Sequence, residues 1–185
     1  MSAQPTGGPM SLADYLTFEE LSEARHELLR GQVRLMSGGT ERHDLLVNAI
    51  NVQLVQGLRG GPCRVFPHNR KLLTADGNIY YPDILVNCAS AADRRYENDA
   101  VLVIEVLSPS NTRDELDDKL EHYLGLPSIR VYMTVDPESG AVTIYERHDL
   151  GWRSRMATRR ADVKVEGFAL DLAQAFMDVE GQVTT

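Results

Sequence analysis

The 185-residue sequence has few cysteines, no long apolar run, and fewer basic than acidic residues. Its two cysteines, Cys63 and Cys88, lie far apart in the chain and in no metal-ligand spacing, so we expect reduced thiols in a cytoplasmic protein. No stretch is long enough to span a bilayer, and no membrane contact is expected. The start, MSAQPTGGPM, lacks the basic and apolar regions of a signal peptide.

Basic residues are outnumbered, with 19 Lys and Arg against 27 Asp and Glu, a net charge of −8. This balance argues against non-specific coating of nucleic acid, which depends on neutralising phosphates with Lys and Arg. It leaves room for a local basic groove. It also suits a protein that gathers carboxylates around a divalent cation.

Several catalytic motifs are missing. Ser108 and Ser110 have no G-x-S-x-G context, which argues against a serine hydrolase. The chain has no phosphate-binding Walker loop and no dinucleotide fingerprint, and its five histidines show no zinc spacing. These absences leave the carboxylates as the main candidates for chemistry.

The length and the lack of repeats or linkers predict one domain over 12–178, after a disordered lead over 1–11 and before a polar tail over 179–185. Thr17 is a possible helix cap, and Thr112 with Glu115 forms a capping box. The patterns predict helices over 12–24, 40–58, 113–126 and 170–179, a hairpin over 26–36, strands over 64–66, 70–74, 80–87, 100–107, 129–136 and 141–148, and a further hairpin around Gly151. This order favours an α/β or α+β fold in which helices flank a mixed sheet.

Two carboxylates interrupt apolar strands. Glu105 lies inside AVLVIEVL, and Asp83 begins the apolar part of YYPDILVN. An unpaired buried charge is costly, so each carboxylate needs a partner. Adjacent strands can bring both to one point, where a divalent cation removes their repulsion and Mg²⁺ is the best match. The alternatives are a Glu105–arginine ion pair and a turn-capping Asp83.

Lys119 flanks the inward stripe of the next helix, which Leu116, Leu120 and Tyr123 form. Its ammonium could therefore reach over the end of the sheet that holds Glu105. Without further information a surface lysine on a mixed-charge helix is the simpler interpretation.

These stretches resemble the PD-(D/E)XK nuclease superfamily and, more closely, the Uma-two family of restriction-endonuclease-like proteins. The resemblance runs from about Tyr15 to Phe176 through HELLRGQVRLM, YYPDILV, VIEVLSPSNTRDELDDKLEHYL, VYMTVDPE and VEGFALDLAQAF. The superfamily motif places lysine two residues after the glutamate, where this chain has Leu107. The Uma-two pattern places it on the following helix, where Lys119 matches.

The resemblance implies a restriction-endonuclease-like fold and a Mg²⁺-dependent endonuclease acting on DNA, with Mn²⁺ as a possible substitute and a homodimer as the working form. Asp83, Glu105 and the Val106 carbonyl would hold the metal, with Glu27 as an outer ligand. Lys119 would orient or deprotonate the attacking water.

Three further residues are candidates for substrate contact: His43, Arg70 and Arg113. His43 shares the apolar face of its helix and is more often a core-edge histidine, while the two arginines could be ordinary surface charges. The rival functions are an inert binding module that keeps the fold, an interaction domain with no nucleic-acid partner, and a hydrolase of another phosphoester.

Overall fold

The structure, a computed structural model, describes residues 8–90 and 93–183. Within this part the chain forms helices α1 (Leu12–Leu21), α2 (Glu41–Gly57), α3 (Arg113–Leu124) and α4 (Leu172–Val183). Its strands are β1 (His26–Leu29), β2 (Gln32–Leu35), β3 (Arg64–Pro67), β4 (Leu72–Leu73), β5 (Ile79–Tyr80), β6 (Ile84–Asn87), β7 (Ala100–Val106), β8 (Val131–Val135), β9 (Ala141–His148), β10 (Gly151–Thr158), β11 (Asp162–Val165) and β12 (Phe168–Asp171).

The main sheet has six strands in the order β10-β9-β8-β7-β6-β3. Strands β7 and β8 run parallel, and the other neighbouring pairs are antiparallel. A parallel pair needs a crossover connection, and α3 lies in the connection between β7 and β8. The predicted mixed sheet flanked by helices is confirmed.

Strand β7 lies at the centre of the molecule, and all seven of its residues are buried. Side chains alternate between the two faces of a strand. Leu102 and Ile104 pack in a cluster with Ile50 of α2, whereas Val103 packs in a second cluster with Tyr123 of α3. Since Glu105 has the same parity as Val103, it points to the α3 face, where that helix can supply polar partners.

A smaller sheet, in the order β2-β1-β5-β4, lies beside the main one. The predicted hairpin is confirmed, and Arg30 (φ 52°) and Gly31 (φ 77°) form its left-handed turn. The predicted single strand over 80–87 is wrong. Tyr81, Pro82 and Asp83 separate β5 of the small sheet from β6 of the main sheet, and Pro82 has no N–H for a ladder hydrogen bond.

Other boundaries also differ from the predictions. The cap of α1 is Ser11, whose hydroxyl accepts from the N–H of Asp14, and not Thr17. The strand predicted over 70–74 shrinks to β4, and the hairpin of β11 and β12 was not predicted. Helix α4 begins at Leu172, two residues after the predicted start at 170, and ends at Val183, four residues after the predicted end at 179.

The expectation of two reduced cysteines is wrong in this structure. Cys63 precedes β3 and Cys88 follows β6, and the pairing of Arg64 with Asn87 places the two cysteines opposite each other, where they form a disulfide. No helix within residues 8–90 and 93–183 combines the length and apolar character that crossing a membrane requires.

Candidate active site

Asp83 and Glu105 meet at the same end of the main sheet. The antiparallel register of β6 with β7 pairs Ile84 with Ile104. Asp83, which precedes Ile84, therefore lies beside Glu105, which follows Ile104. Asp83 Oδ2 accepts a 2.8 Å hydrogen bond from the N–H of Val106, and its carbonyl accepts one from the N–H of His68. These bonds fix the Asp83 carboxylate next to Glu105.

Glu105 is only 5% exposed, yet both of its carboxylate oxygens have a donor. Lys119 Nζ lies 3.0 Å from Oε2, and the Tyr123 hydroxyl donates to Oε1 at 2.8 Å. Burial raises the pKa of Glu105 to about 7, with Asp83 adding to the rise, while Lys119 and the Tyr123 hydrogen bond counteract it. Within the described part of the chain, the cation that contacts Glu105 is Lys119 and not the arginine of the predicted alternative.

Lys119 lies between two carboxylates. Its ammonium is 3.0 Å from Glu105 Oε2 and 3.8 Å from Glu27 Oε1. Burial favours the neutral amine, but the charges of Glu105 and Glu27 outweigh it and raise the pKa of Lys119 above its usual value. The side chain is therefore protonated at neutral pH, which suits a donor and not a base.

Glu27 reaches the site from the hairpin of β1 and β2. Its Oε1 accepts a long hydrogen bond, 3.4 Å, from the N–H of Tyr81, which directly precedes the Pro82–Asp83 segment. Burial raises the pKa of Glu27, although Lys119 and the Tyr81 hydrogen bond act in the opposite direction. The small sheet thus contributes a third carboxylate to the site.

His43, in the first turn of α2, is placed beside Asp83. Its Nε2 is 3.3 Å from Asp83 Oδ2, and its Nδ1 is 3.0 Å from Asp44 Oδ1. Burial disfavours the charged ring, but the hydrogen bonds and charges of Asp83 and Asp44 prevail and raise the pKa of His43 to about 9. Gly39 allows this approach, because a Cβ there would lie 2.5 Å from His43 Nδ1.

One cleft of about 350 Å³ is lined by Glu27, His43, Asp83, Glu105 and Lys119. The hairpin, the start of α2, the ends of β6 and β7, and α3 form its walls. The polar lining comprises Arg25, Glu27, Arg34, Ser37, His43, Asp44, His68, Asn69, Tyr81, Asp83, Glu105, Ser108, Ser110, Asn111, Glu115 and Lys119. The cleft therefore gives solvent and a ligand access to groups that are otherwise well buried.

Two polar contacts of the site were not predicted. Tyr123 was assigned to the apolar stripe, but its hydroxyl contacts Glu105; its position four residues after Lys119 was the available signal. His68 has a left-handed backbone (φ 53°), and its Nδ1 lies 3.8 Å from Asp83 Oδ1. Nothing in the local sequence pattern marks His68.

Arg70 and Arg113 do not line the cleft. The Arg70 guanidinium contacts the fully buried Glu97 at 2.6 Å and carbonyls of the loop before β7. The side chain of Arg113 is 93% exposed and lies 3.9 Å from Asp117 on the same helix. Their positions favour a structural role for Arg70 and a surface role for Arg113.

Three carboxylates in the cleft are of the chemical type that hard divalent cations prefer. Asp83, Glu105 and Glu27 supply carboxylate oxygens, and Mg²⁺ commonly binds one or two carboxylates and completes its shell with waters and substrate oxygens. Among the described residues, three or more ligand atoms within 4.8 Å of one another occur at Cys63, Cys88 and Glu166, where the two sulfurs already form the disulfide, and not at Asp83, Glu105 and Glu27. The cleft thus suits a cation held by few protein ligands.

Comparison with known proteins gives consistent results. Residues 12–175 match the Uma2 family model, described as "Putative restriction endonuclease". The uncharacterized protein slr1290 of Synechocystis is 29% identical over 172 residues, covering 88% of this chain and 90% of that protein. A second Synechocystis protein, sll1609, also uncharacterized, is 24% identical over 143 residues, covering 75% and 81%.

The fold has a solved counterpart. A crystal structure described as "a putative nuclease belonging to DUF820", from Anabaena variabilis, superposes with a TM-score of 0.74 over 92% of this chain and 99% of that one, at 16% identity. At that sequence identity the match supports a shared fold and nothing further. Because the family model spans most of the chain, the protein belongs to the Uma2 family, described as "Putative restriction endonuclease".

Proposed function

We propose that this protein is a metal-dependent endonuclease that hydrolyses DNA phosphodiester bonds. The observation that carries the proposal is the buried Glu105, beside Asp83 and with Lys119 Nζ at 3.0 Å, at the base of an open cleft. Two carboxylates and a lysine in this arrangement are suited to metal-assisted hydrolysis of a phosphoester.

Asp83 and Glu105 would hold Mg²⁺, or Mn²⁺ in its place, with the Val106 carbonyl, and Glu27 would act as an outer ligand. The cation, when bound, would polarise the scissile phosphate and lower the pKa of a water. The N–H of Val106 keeps the Asp83 carboxylate directed into the cleft through its 2.8 Å hydrogen bond.

Lys119 would act as a donor in this scheme. Since its pKa is raised by Glu105 and Glu27, the ammonium would hold the attacking water or a phosphate oxygen and offset negative charge there. His43, with its pKa near 9, is charged at neutral pH and would donate to a phosphate or leaving oxygen. These assignments use both groups in the protonation states that the site favours.

The test is a cleavage assay on supercoiled, linear and single-stranded DNA with Mg²⁺ or Mn²⁺. Glu105→Gln removes the buried charge at nearly constant shape, and we expect it, like a chelator, to abolish cutting. Glu146→Gln is the matched control, because Glu146 is a strand glutamate that does not line the cleft and pairs with Arg155. Equal cutting by wild type and Glu105→Gln would contradict the proposal.

Metal binding is measured on the same proteins by calorimetry. Metal binding that Glu105→Gln abolishes, without any cutting by the wild type, would instead identify an inert module that keeps the nuclease fold. Neither binding nor cutting would leave Glu105 as a structural ion-pair partner of Lys119.

The homodimer and the cytoplasmic location belong to the proposal as well. A dimer would let two sites address the two strands of a duplex. Light scattering should then give twice the chain mass of 20.6 kDa, and a monomer that cuts both strands would contradict it. Cell fractionation tests the location.

A further inference from the structure

We propose that Arg25 and Arg34, on the hairpin of the small sheet, form a phosphate-binding pair that holds the nucleic-acid strand beside the bond being cut. The inference rests on the proposed nuclease function and deepens it, because it assigns substrate binding to residues outside the group formed by the carboxylates and Lys119. Neither arginine was singled out by the sequence patterns.

The register of the hairpin places both arginines on the face that carries Glu27. Arg34 lies directly opposite Glu27, and opposed residues of an antiparallel pair project to the same side. Met36 donates to the carbonyl of Arg25, which continues the ladder by one step and puts Arg25 two residues before Glu27 on that side. Both arginines line the cleft.

Both side chains are available for a ligand. Arg25 and Arg34 are exposed, and within the described residues neither guanidinium has a hydrogen bond or ion pair. Arg30, at the tip of the same hairpin, differs, since it contacts Asp118 at 2.8 Å. Glu27 forms its ion pair with Lys119, and Arg34 acts on Glu27 only through its charge, which opposes the rise in the pKa of Glu27. The guanidinium groups of Arg25 and Arg34, beside an acidic site, are thus available to bind an anionic ligand.

The chemistry of these groups matches phosphate. Guanidinium presents a planar fork that binds two phosphate oxygens at once, and it stays charged at every relevant pH. The site beneath carries Glu27, Asp83 and Glu105, which repel a polyanion, so an approaching strand needs a compensating positive charge at the rim. The hairpin supplies that charge, while the carboxylates of the sheet ends are left for the cation.

Mutation should therefore separate DNA binding by the two arginines from metal binding by the carboxylates. Binding of a fluorescent oligonucleotide, single-stranded or duplex, is measured by anisotropy in Ca²⁺, with a gel confirming that the DNA stays intact. We expect Arg25→Gln and Arg34→Gln each to raise Kd about tenfold at low salt and to reduce the slope of log K against log salt by about 1. Mg²⁺ affinity by calorimetry should not change.

Arg153→Gln is the matched control. Arg153 is an exposed strand arginine opposite a glutamate, Glu146, but it does not line the cleft, so its loss should leave Kd and salt slope at the wild-type values. Thermal unfolding of every variant confirms that the fold is kept. Arg25 and Arg34 variants that bind like Arg153→Gln would overturn the inference while leaving the nuclease proposal intact.

Arginine-dependent binding by a wild type that never cuts would support the phosphate-binding pair and contradict the nuclease. A wild type with no measurable DNA binding would overturn the pair.

Discussion

At the scale of single residues, Glu105 shows how the fold tolerates a carboxylate in its central strand. The side chain points to the face that α3 covers, and that helix supplies two donors, Lys119 and Tyr123. The charge remains costly, which is why burial raises its pKa to about 7. A cation that binds Glu105 must compete with a proton at physiological pH.

The Mg²⁺ affinity of the protein should consequently depend on pH. In the proposed site only the ionised carboxylate would bind the cation, so affinity should level off about one pH unit above the raised pKa and fall below it by about tenfold per unit. Calorimetry between pH 5.5 and 8.5 measures this. An affinity that is constant down to pH 5.5 would contradict the combination of a raised pKa and a ligand role for Glu105.

Tyr123→Phe extends the same prediction. The hydroxyl favours the ionised form of Glu105, so its removal should move the midpoint of the affinity profile to higher pH. Tyr132→Phe is the matched control, because the buried Tyr132 hydroxyl has no hydrogen-bond partner among the described residues. A merely structural role for Tyr123 would lower stability and leave the midpoint where it was.

At the scale of elements, the sequence predicted those parts of the site that have strong local signals. The apolar run around Glu105 gave β7, and the capping box of Thr112 and Glu115 gave the start of α3 and hence the place of Lys119. The break at Pro82 was missed because the apolar pattern over 80–87 is the same for one continuous strand as for two short strands that belong to different sheets. The hydroxyl of Tyr123 was missed because its neighbours Leu116 and Leu120 made it resemble a core residue.

Contacts between segments that are distant in the chain could not be predicted from local sequence patterns either. His68 meets Asp83 only after β3 pairs with β6, and Arg34 joins Glu27 through the register of a hairpin. The hairpin of β11 and β12 turns through Glu166 (φ 48°) and Gly167 (φ 85°), and a glutamate is an unusual residue for that backbone conformation. Pairing register decides each of these cases, and composition does not reveal it.

Gly57, at the end of α2, gives a prediction at this scale. Helix propensity alone would make Gly57→Ala stabilising by up to about 1 kcal/mol. A Cβ at this position, however, would lie 2.1 Å from the ring of Phe168, so we expect a net loss of about 1–3 kcal/mol as β12 is displaced. Urea denaturation measures the change.

Gly181→Ala in α4 is the control. Nothing lies within 4 Å of a Cβ at that position, so the same substitution should be neutral or stabilising. A Gly57→Ala protein as stable as Gly181→Ala would mean that the contact with Phe168 relaxes without cost.

At the scale of the whole molecule, the disulfide ties β3, an edge of the main sheet, to its neighbour β6. The bond closes a segment with a sequence separation of 25, and a cross-link of that length restricts the unfolded chain by roughly 3 kcal/mol. Reduction should lower the free energy of unfolding by about that amount.

Urea denaturation with and without dithiothreitol tests this prediction, and alkylation followed by mass spectrometry counts the thiols. Cys63→Ser should match the reduced protein and should not respond to reductant. Two thiols that react fully in the untreated protein would contradict the bond.

The joint between the two sheets also limits how the chain can vary. Tyr81, Pro82 and Asp83 carry the backbone from β5 to β6, so the carboxylate of Asp83 belongs to a connection, whereas that of Glu105 belongs to the central strand. One inserted residue at this joint would shift Asp83 by about 3.3 Å and reverse its side chain. The same insertion at the turn around Gly77, which is exposed and has open space beside it, would be absorbed by the loop. Length changes during evolution should therefore collect at that turn and spare the three residues of the joint.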